Sequence, residues 1–160
     1  IQLSKDMTVL DLGCGIGRST PYVSARVAKY IGVDYSKIMI QKAIKKHANL
    51  SNVSFIQTNG WNLFGVKNNS VDLVYCELVF QHMSKKNTVA YIREVLRVLK
   101  SQGIFIAQIP RLNHYKKIDP DAKVYVMTKE DIKKAFTKYS DYDFLDFEFQ
   151  YAYYLVKAIK

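Results

Sequence analysis

The stretch Val9-Leu10-Asp11-Leu12-Gly13-Cys14-Gly15-Ile16-Gly17 puts an acidic residue and three alternating glycines at the end of an apolar run. Glycines at such a bend adopt positive φ at no Cβ cost and let a ligand press on bare backbone, while a helix starting beyond them offers unpaired N–H groups. That combination suits a small ligand with a carboxylate or phosphate. A G-x-G-x-x-G dinucleotide fingerprint needs its third glycine at position 18, which is Arg18, and this weakens a nicotinamide reading. Asp34 ends a second apolar run, where a carboxylate can accept hydrogen bonds from both hydroxyls of a ribose. The competing roles are capping of the following helix for Asp34 and satisfaction of strand-end backbone for Asp11. His82 follows a later apolar run in Leu78-Val79-Phe80-Gln81-His82. An imidazole can take a proton from a hydroxyl or amine; the alternative is a histidine bracing the next helix. His47 lies on a helix face and reads as structural. Cys14 and Cys76 are the only cysteines, too few for a disulfide framework and without metal-ligand spacing. No metal is expected, and the two read as small buried hydrophobes in a reducing, cytoplasmic setting.

Strands and helices must alternate to bring these groups together. Apolar runs predict strands at Thr8 to Leu12, Tyr30 to Asp34, Val53 to Thr58, Val71 to Cys76 and Gly103 to Ile109. Between them, Pro21 to Ala28 can be helical with Pro in its first turn. Ser36 can cap a helix carrying Met39, Ile40, Ala43, Ile44 and His47 at spacings of three and four. From Ser84 to Lys100, Val89, Ile92, Val95, Leu96 and Leu99 form one stripe. Nearly continuous apolar strands alternating with helices predict an α/β fold, a parallel sheet covered on both faces. The last third departs from that pattern. Thr128 with Asp131 reads as a capping box opening a helix to about Tyr139, and Asp143 to Ile159 reads as two successive strands turning near Gln150, the second antiparallel to the first.

The 160 residues leave room for one domain, 1–160, which can bury roughly 70% of its unfolded surface without disulfides or metal. With 49% hydrophobic and 24% charged residues, disorder and low complexity are excluded. No apolar run approaches a membrane span and no signal peptide is visible. The formal charge of +10 is compatible with an anionic partner, but the lysines are scattered from Lys5 to Lys160 and read mainly as solvated surface. Nucleic acid is therefore a possible partner and not the favoured one. The chain opens on Ile1 and is expected to be a fragment.

Taken together, VLDLGCGIGRST at 9–20, IGVDYSKIMIQKA at 31–43, FIQTNGWNL at 55–63, SVDLVYCELVFQHM at 70–83 and YIREVLRVLKSQGIFI at 91–106 resemble the class I S-adenosylmethionine-dependent methyltransferases. The resemblance implies a doubly wound, mostly parallel seven-stranded sheet in the order 3-2-1-4-5-7-6 with the last strand antiparallel, preceded by lid helices that this chain lacks. It implies S-adenosylmethionine as cofactor. Asp11, Gly13, Gly15 and Gly17, with Cys14 in the same turn, would line its methionine moiety, and Asp34 would hold the ribose. Tyr35 and Met39 would lie near the adenine. Asn59 stands where the family usually has Asp bonding the adenine amino group; its oxygen can still accept that bond, with Gly60 and Trp61 beside it. Cys76 and Glu77 would meet the methionine amino group and open toward the acceptor. His82 is the candidate base, and Arg111, His114 and Tyr115, with Lys116 and Lys117, the candidate acceptor contacts. The chain reads Cys76-Glu77-Leu78-Val79 where methyltransferases of exocyclic amines carry [ND]PP[YF]. A small-molecule O or N acceptor is the leading expectation, ahead of RNA or protein, or of a noncatalytic cofactor-binding module.

Overall fold

In a computed structural model of the chain, residues 1–110, 127–136, 141–145 and 153–160 are described. Seven strands form one sheet in the order β3-β2-β1-β4-β5-β7-β6: β1 Thr8–Leu12, β2 Lys29–Asp34, β3 Val53–Gln57, β4 Val71–Cys76, β5 Leu99–Pro110, β6 Asp141–Leu145 and β7 Tyr153–Ile159. All neighbours among β1 to β5 run parallel, whereas β7 is antiparallel to both β5 and β6. The strand order reverses between β1 and β4, so the carboxyl ends of β1, β2 and β4 open a crevice where α/β sheets bind ligands.

The helices are α1 Thr20–Ser24, α2 Lys37–Lys46, α3 Lys85–Val98 and α4 Lys129–Phe136, with a 3₁₀ turn at Phe80–His82 before α3. Their starts follow local chemistry. Ser36 Oγ accepts from Met39 N, and Ser84 Oγ accepts from Asn87 N. At α4 the capping box is reciprocal: Thr128 N donates to Asp131 Oδ2 at 3.0 Å and Asp131 N to Thr128 Oγ1 at 3.1 Å. The stripe of α3, Ile92, Val95 and Leu96, packs with Leu10, Val74 and Phe105 into the main core on one sheet face. Val9, Val27, Tyr30 and Leu73 form a smaller core on the other.

Helix α1 is shorter than the expected Pro21 to Ala28. Ala28 N and Lys29 N both donate to Met7 O, so the chain has already entered the sheet by that point. Strand β5 starts earlier than Gly103, although its ladder with β4 shifts register between Val71 and Leu73 and becomes regular at Ile104. The predicted turn near Gln150 and the predicted helix end at Tyr139 lie outside the described residues. Among the described residues, no helix is long and apolar enough to cross a membrane.

Candidate active site

Two cavities meet at the carboxyl ends of β1, β2 and β4. The larger, about 640 Å³, is lined by Asp34, Tyr35, Thr58 to Trp61, Val79, His82 to Ser84, Asn87 and Tyr91. The smaller, about 420 Å³, is lined by Asp11, Cys14, Arg18, Ser19, Tyr22, Tyr75 and Glu77. Gly13 and Leu78 line both. The boundary between the cavities is thus made by one glycine of the turn and by a leucine held at φ +57°. A left-handed leucine costs roughly 1–2 kcal/mol, and such strain collects where backbone serves a ligand.

The glycines divide their work. Gly13 N and Cys14 N both donate to Val33 O, at 2.8 and 3.0 Å, which lays the turn against β2. A Cβ on Gly13, at φ +85°, would stand 2.2 Å from Val79 Cγ2. One on Gly15 would meet nothing within 4 Å. Gly17 is buried, and its Cβ would strike Thr20 Oγ1 at 2.6 Å and the His47 ring at 2.8 Å. His47 Nε2 donates to Gly17 O at 2.8 Å and its ring lies near Phe55. Gly17 therefore admits a packing contact and is not among the residues lining either cavity, contrary to the role the resemblance implied. His47 is structural.

Asp34 holds the turn and faces the larger cavity at once. Its Oδ2 accepts from Gly15 N at 2.9 Å and its Oδ1 from Ser36 N at 2.8 Å. A carboxylate has about four acceptor positions, so one on each oxygen remains. The ligand and capping readings of Asp34 are compatible in this geometry.

Asp11 is buried at the floor of the smaller cavity. Tyr30 Oη donates to its Oδ2 at 2.6 Å and Ser19 Oγ to the same oxygen at 2.7 Å. Because the serine proton is used on Asp11, Tyr75 Oη must donate to Ser19 Oγ at 2.8 Å. Burial raises the Asp11 carboxyl above the usual range, against the lowering effect of these bonds. Burial and then the Asp11 charge push the Tyr30 and Tyr75 phenols and the Cys14 thiol up. Asp11 lines the smaller cavity.

Gly15, Cys76 and Met39, three further expected cofactor contacts, line neither cavity, whereas Cys14 lines the smaller one. The Cys14 side chain is buried toward Gly32, so only the backbone of that residue can face a ligand. Cys76 is buried in the main core, its thiol pushed up by burial, and it lines neither cavity. Met39 projects from the first turn of α2 and also lines neither. Asn59 does line the larger cavity, but its Oδ1 already accepts from Trp61 N at 3.3 Å and Asn62 N at 3.2 Å. It holds a turn through its own side chain. Glu77, Tyr35, Gly60 and Trp61 stand at the cavities as expected. His82 lines the larger cavity, where the Gln81 side-chain amide donates to its Nε2 at 3.0 Å. Arg111, His114, Tyr115, Lys116 and Lys117 lie outside the described residues.

Arg18, Ser19, Tyr22, Thr58, Tyr75, Asn87 and Tyr91 line the cavities without having been singled out from the sequence. Strand alternation was the available signal for Tyr75, one residue before Cys76 and so on the opposite face. The donor set fits S-adenosylmethionine: a carboxylate with free acceptor positions for a ribose, two carboxylates and an arginine around the neighbouring cavity for an amino acid moiety, and bare backbone between them.

Residues 10–107 match the family model described as "Methyltransferase domain", and the chain belongs to that family. It is 33% identical over 114 residues to the uncharacterized methyltransferase YcgJ of Bacillus subtilis (strain 168), covering 70% of this chain and 42% of that protein. The crystal structure of YcgJ matches with a TM-score of 0.79 at 20% identity, over 99% of this chain and 94% of that one. Phosphoethanolamine N-methyltransferase 1 of Caenorhabditis elegans is 30% identical over 104 residues, 65% of this chain and 22% of that protein. A structure of phosphoethanolamine N-methyltransferase 1 from Haemonchus contortus, in complex with phosphoethanolamine and S-adenosylhomocysteine, matches with a TM-score of 0.74 at 16% identity, over 99% of this chain and 40% of that one. The chain therefore spans 22% and 42% of the lengths of these two curated relatives. The fold is that of the S-adenosylmethionine-dependent methyltransferases.

Proposed function

We propose that this domain transfers the methyl group of S-adenosylmethionine to an oxygen or nitrogen of a small-molecule acceptor. The observation that carries the reading is the pair of cavities joined at Gly13 and Leu78, with Asp34 in one and Asp11 and Glu77 in the other. Asp34 binds the ribose hydroxyls through its remaining lone pairs while Gly15 N and Ser36 N keep its carboxylate aimed. Asp11 and Glu77 attract an ammonium group, and Arg18 a carboxylate. Tyr35 and Trp61 flank the adenosyl end and limit water there. The cofactor, when bound, supplies a methyl group already activated on a sulfonium.

What remains for the chain is to orient the acceptor and remove its proton. Orientation contributes on the order of 7–11 kcal/mol, more than a general base usually adds. We assign proton removal to His82, which takes the proton at Nε2 once the Gln81 amide turns away. Arg111, His114 and Tyr115, which follow β5 in sequence, are assigned to the acceptor.

Titration calorimetry with S-adenosylhomocysteine and mass spectrometry of the full-length protein with S-adenosylmethionine and a metabolite extract test the reading. The expected results are stoichiometric binding and a metabolite heavier by one methylene. Absence of binding refutes the cofactor site, and methylation of RNA or protein alone refutes the acceptor class. His82→Ala should lower kcat about 10²-fold. An unchanged rate returns His82 to a bracing role.

A further inference from the structure

The wall of the larger cavity that carries Asn59, Gly60 and Trp61 belongs to the connection between β3 and β4 and contains no helix or strand. Its two ends are tied to α3. At the near end, the hydroxyls of buried Thr58 and Tyr91 are 2.8 Å apart. At the far end, fully buried Leu63 donates its N–H to Glu94 Oε2 at 2.9 Å and accepts from Arg97 Nη2 at 3.2 Å through its carbonyl. Tyr91, Glu94 and Arg97 recur at intervals of three, which puts neighbours of the series on the same side of a helix.

Arg97 is saturated. Its Nε donates to Glu94 Oε1 and its Nη2 to Glu94 Oε2, both at 2.8 Å. The second Nη2 proton goes to Leu63 O, while Nη1 reaches Val66 O at 3.0 Å and Asn68 Oδ1. These five bonds use all five guanidinium donors, and three of them end on the β3–β4 connection. Only Asn59 to Asn62 remain between the Thr58 and Leu63 anchors, and the Asn59 side chain closes that short piece onto Trp61 N and Asn62 N. Little freedom is left for Trp61 once Leu63 is fixed.

We infer that Arg97, oriented by Glu94, is a positioning residue that sets cofactor affinity by holding Gly60 and Trp61 against the larger cavity. The inference rests on the reading of that cavity as the adenosyl site. Lysine cannot replace arginine here, because one ammonium has three donors on a single atom and cannot span Glu94, Leu63 and Val66 together.

Trp61 is the only tryptophan of the 160 residues and is 54% exposed, and its fluorescence, read as the difference from a Trp61→Phe variant, reports this wall. In the full-length protein, Arg97→Lys is expected to weaken S-adenosylhomocysteine binding about tenfold by calorimetry, with kcat at saturating S-adenosylmethionine within twofold. Trp61 in the free variant should be more readily quenched by acrylamide. Arg93→Gln removes a charge from an exposed position of the same helix and should change neither readout. Should Arg97→Lys not fold, Glu94→Gln carries the test, since its amide oxygen can still accept from Leu63 N while the charge pair is lost. Wild-type affinity and wild-type quenching in the folded variants, even with a lower Tm, would overturn the inference. A wild-type protein that binds no S-adenosylhomocysteine refutes the adenosyl site instead; the quenching comparison then still decides whether Arg97 positions Trp61.

Discussion

On one wall of the cleft, the Gly13–Gly17 turn is bonded to β2 and to the end of α2: Gly13 N and Cys14 N to Val33 O, Gly15 N to Asp34, Gly17 O to His47. On the other wall, Asn59 to Asn62 bond to themselves through an Asn turn, and their anchors are Thr58, whose N–H donates to Asp34 O and whose hydroxyl meets Tyr91 of α3, and Leu63, which is tied to Glu94 of α3. The first wall is fixed by backbone conformation and charge. The second is also held by α3, which follows β4 in the chain. Damage to the first should cost fold and ligand together, whereas damage to the second should cost ligand first.

The largest effect is expected at Gly13. In Gly13→Ala the new Cβ meets Val79, whose branched side chain has little χ1 freedom, and the residue is held at φ +85°. A loss of about 2–4 kcal/mol in denaturant unfolding is expected, together with loss of S-adenosylhomocysteine binding. Gly15→Ala sharpens the contrast: with open space around its Cβ, it should lose only about 1–2 kcal/mol from strain. Equal destabilisation by the two would break the division of work among the glycines.

Asp34→Asn leaves one carbonyl oxygen for two N–H donors and turns an amide toward the other. Cofactor affinity should fall at least about tenfold in calorimetry and stability by about 1–3 kcal/mol. A variant that loses affinity without stability would mean that the bonds to Gly15 N and Ser36 N do not hold the wall.

Asp11→Asn should act in opposite directions on the two properties. Because burial raises the folded-state pKa, the stabilisation linked to its proton is fully present below the ordinary carboxylate value of about 3.9 and is lost as pH rises through the raised value. As pH rises through that value the wild type comes to hold an ionised buried carboxylate that asparagine avoids. Asp11→Asn should melt at an equal or higher temperature at neutral pH, with its advantage shrinking as pH falls, while binding S-adenosylhomocysteine more weakly. A temperature difference independent of pH would remove the linkage.

The smallest effect is expected outside the cleft. Asp131 is held down to about 2 by Lys85 and by the Thr128 backbone. Its contribution is present above the ordinary carboxylate value and is lost as pH falls from about 3.9 toward 2. The Lys85 side chain is 56% exposed, so Asp131→Asn should cost at most about 1 kcal/mol in unfolding measurements and leave cofactor affinity unchanged.

Much of this molecule follows from short-range rules. Alternating apolar runs and helical stripes predicted the order of the elements, Ser36, Ser84 and the Thr128–Asp131 box marked helix starts, and the glycine turn with Asp34 marked the crevice. In each case a few adjacent residues contain the whole physical cause, whether a period, a cap or a permitted φ. The tertiary structure decided what such residues do when two roles share one local pattern. Gly17 serves packing because His47, thirty residues on, fills the space a Cβ needs. Asp11 accepts from Tyr30 of β2 and is linked through Ser19 to Tyr75 of β4, and Cys76 points into the core while Glu77 reaches the cavity. Arg97 reads in the sequence as one charge on a helix, yet it organises a loop 31 to 34 residues away. Sequence set the backbone path because its forces act over a turn or a strand; only folding could assign these partners, because the bonds that define them close across distant parts of the chain.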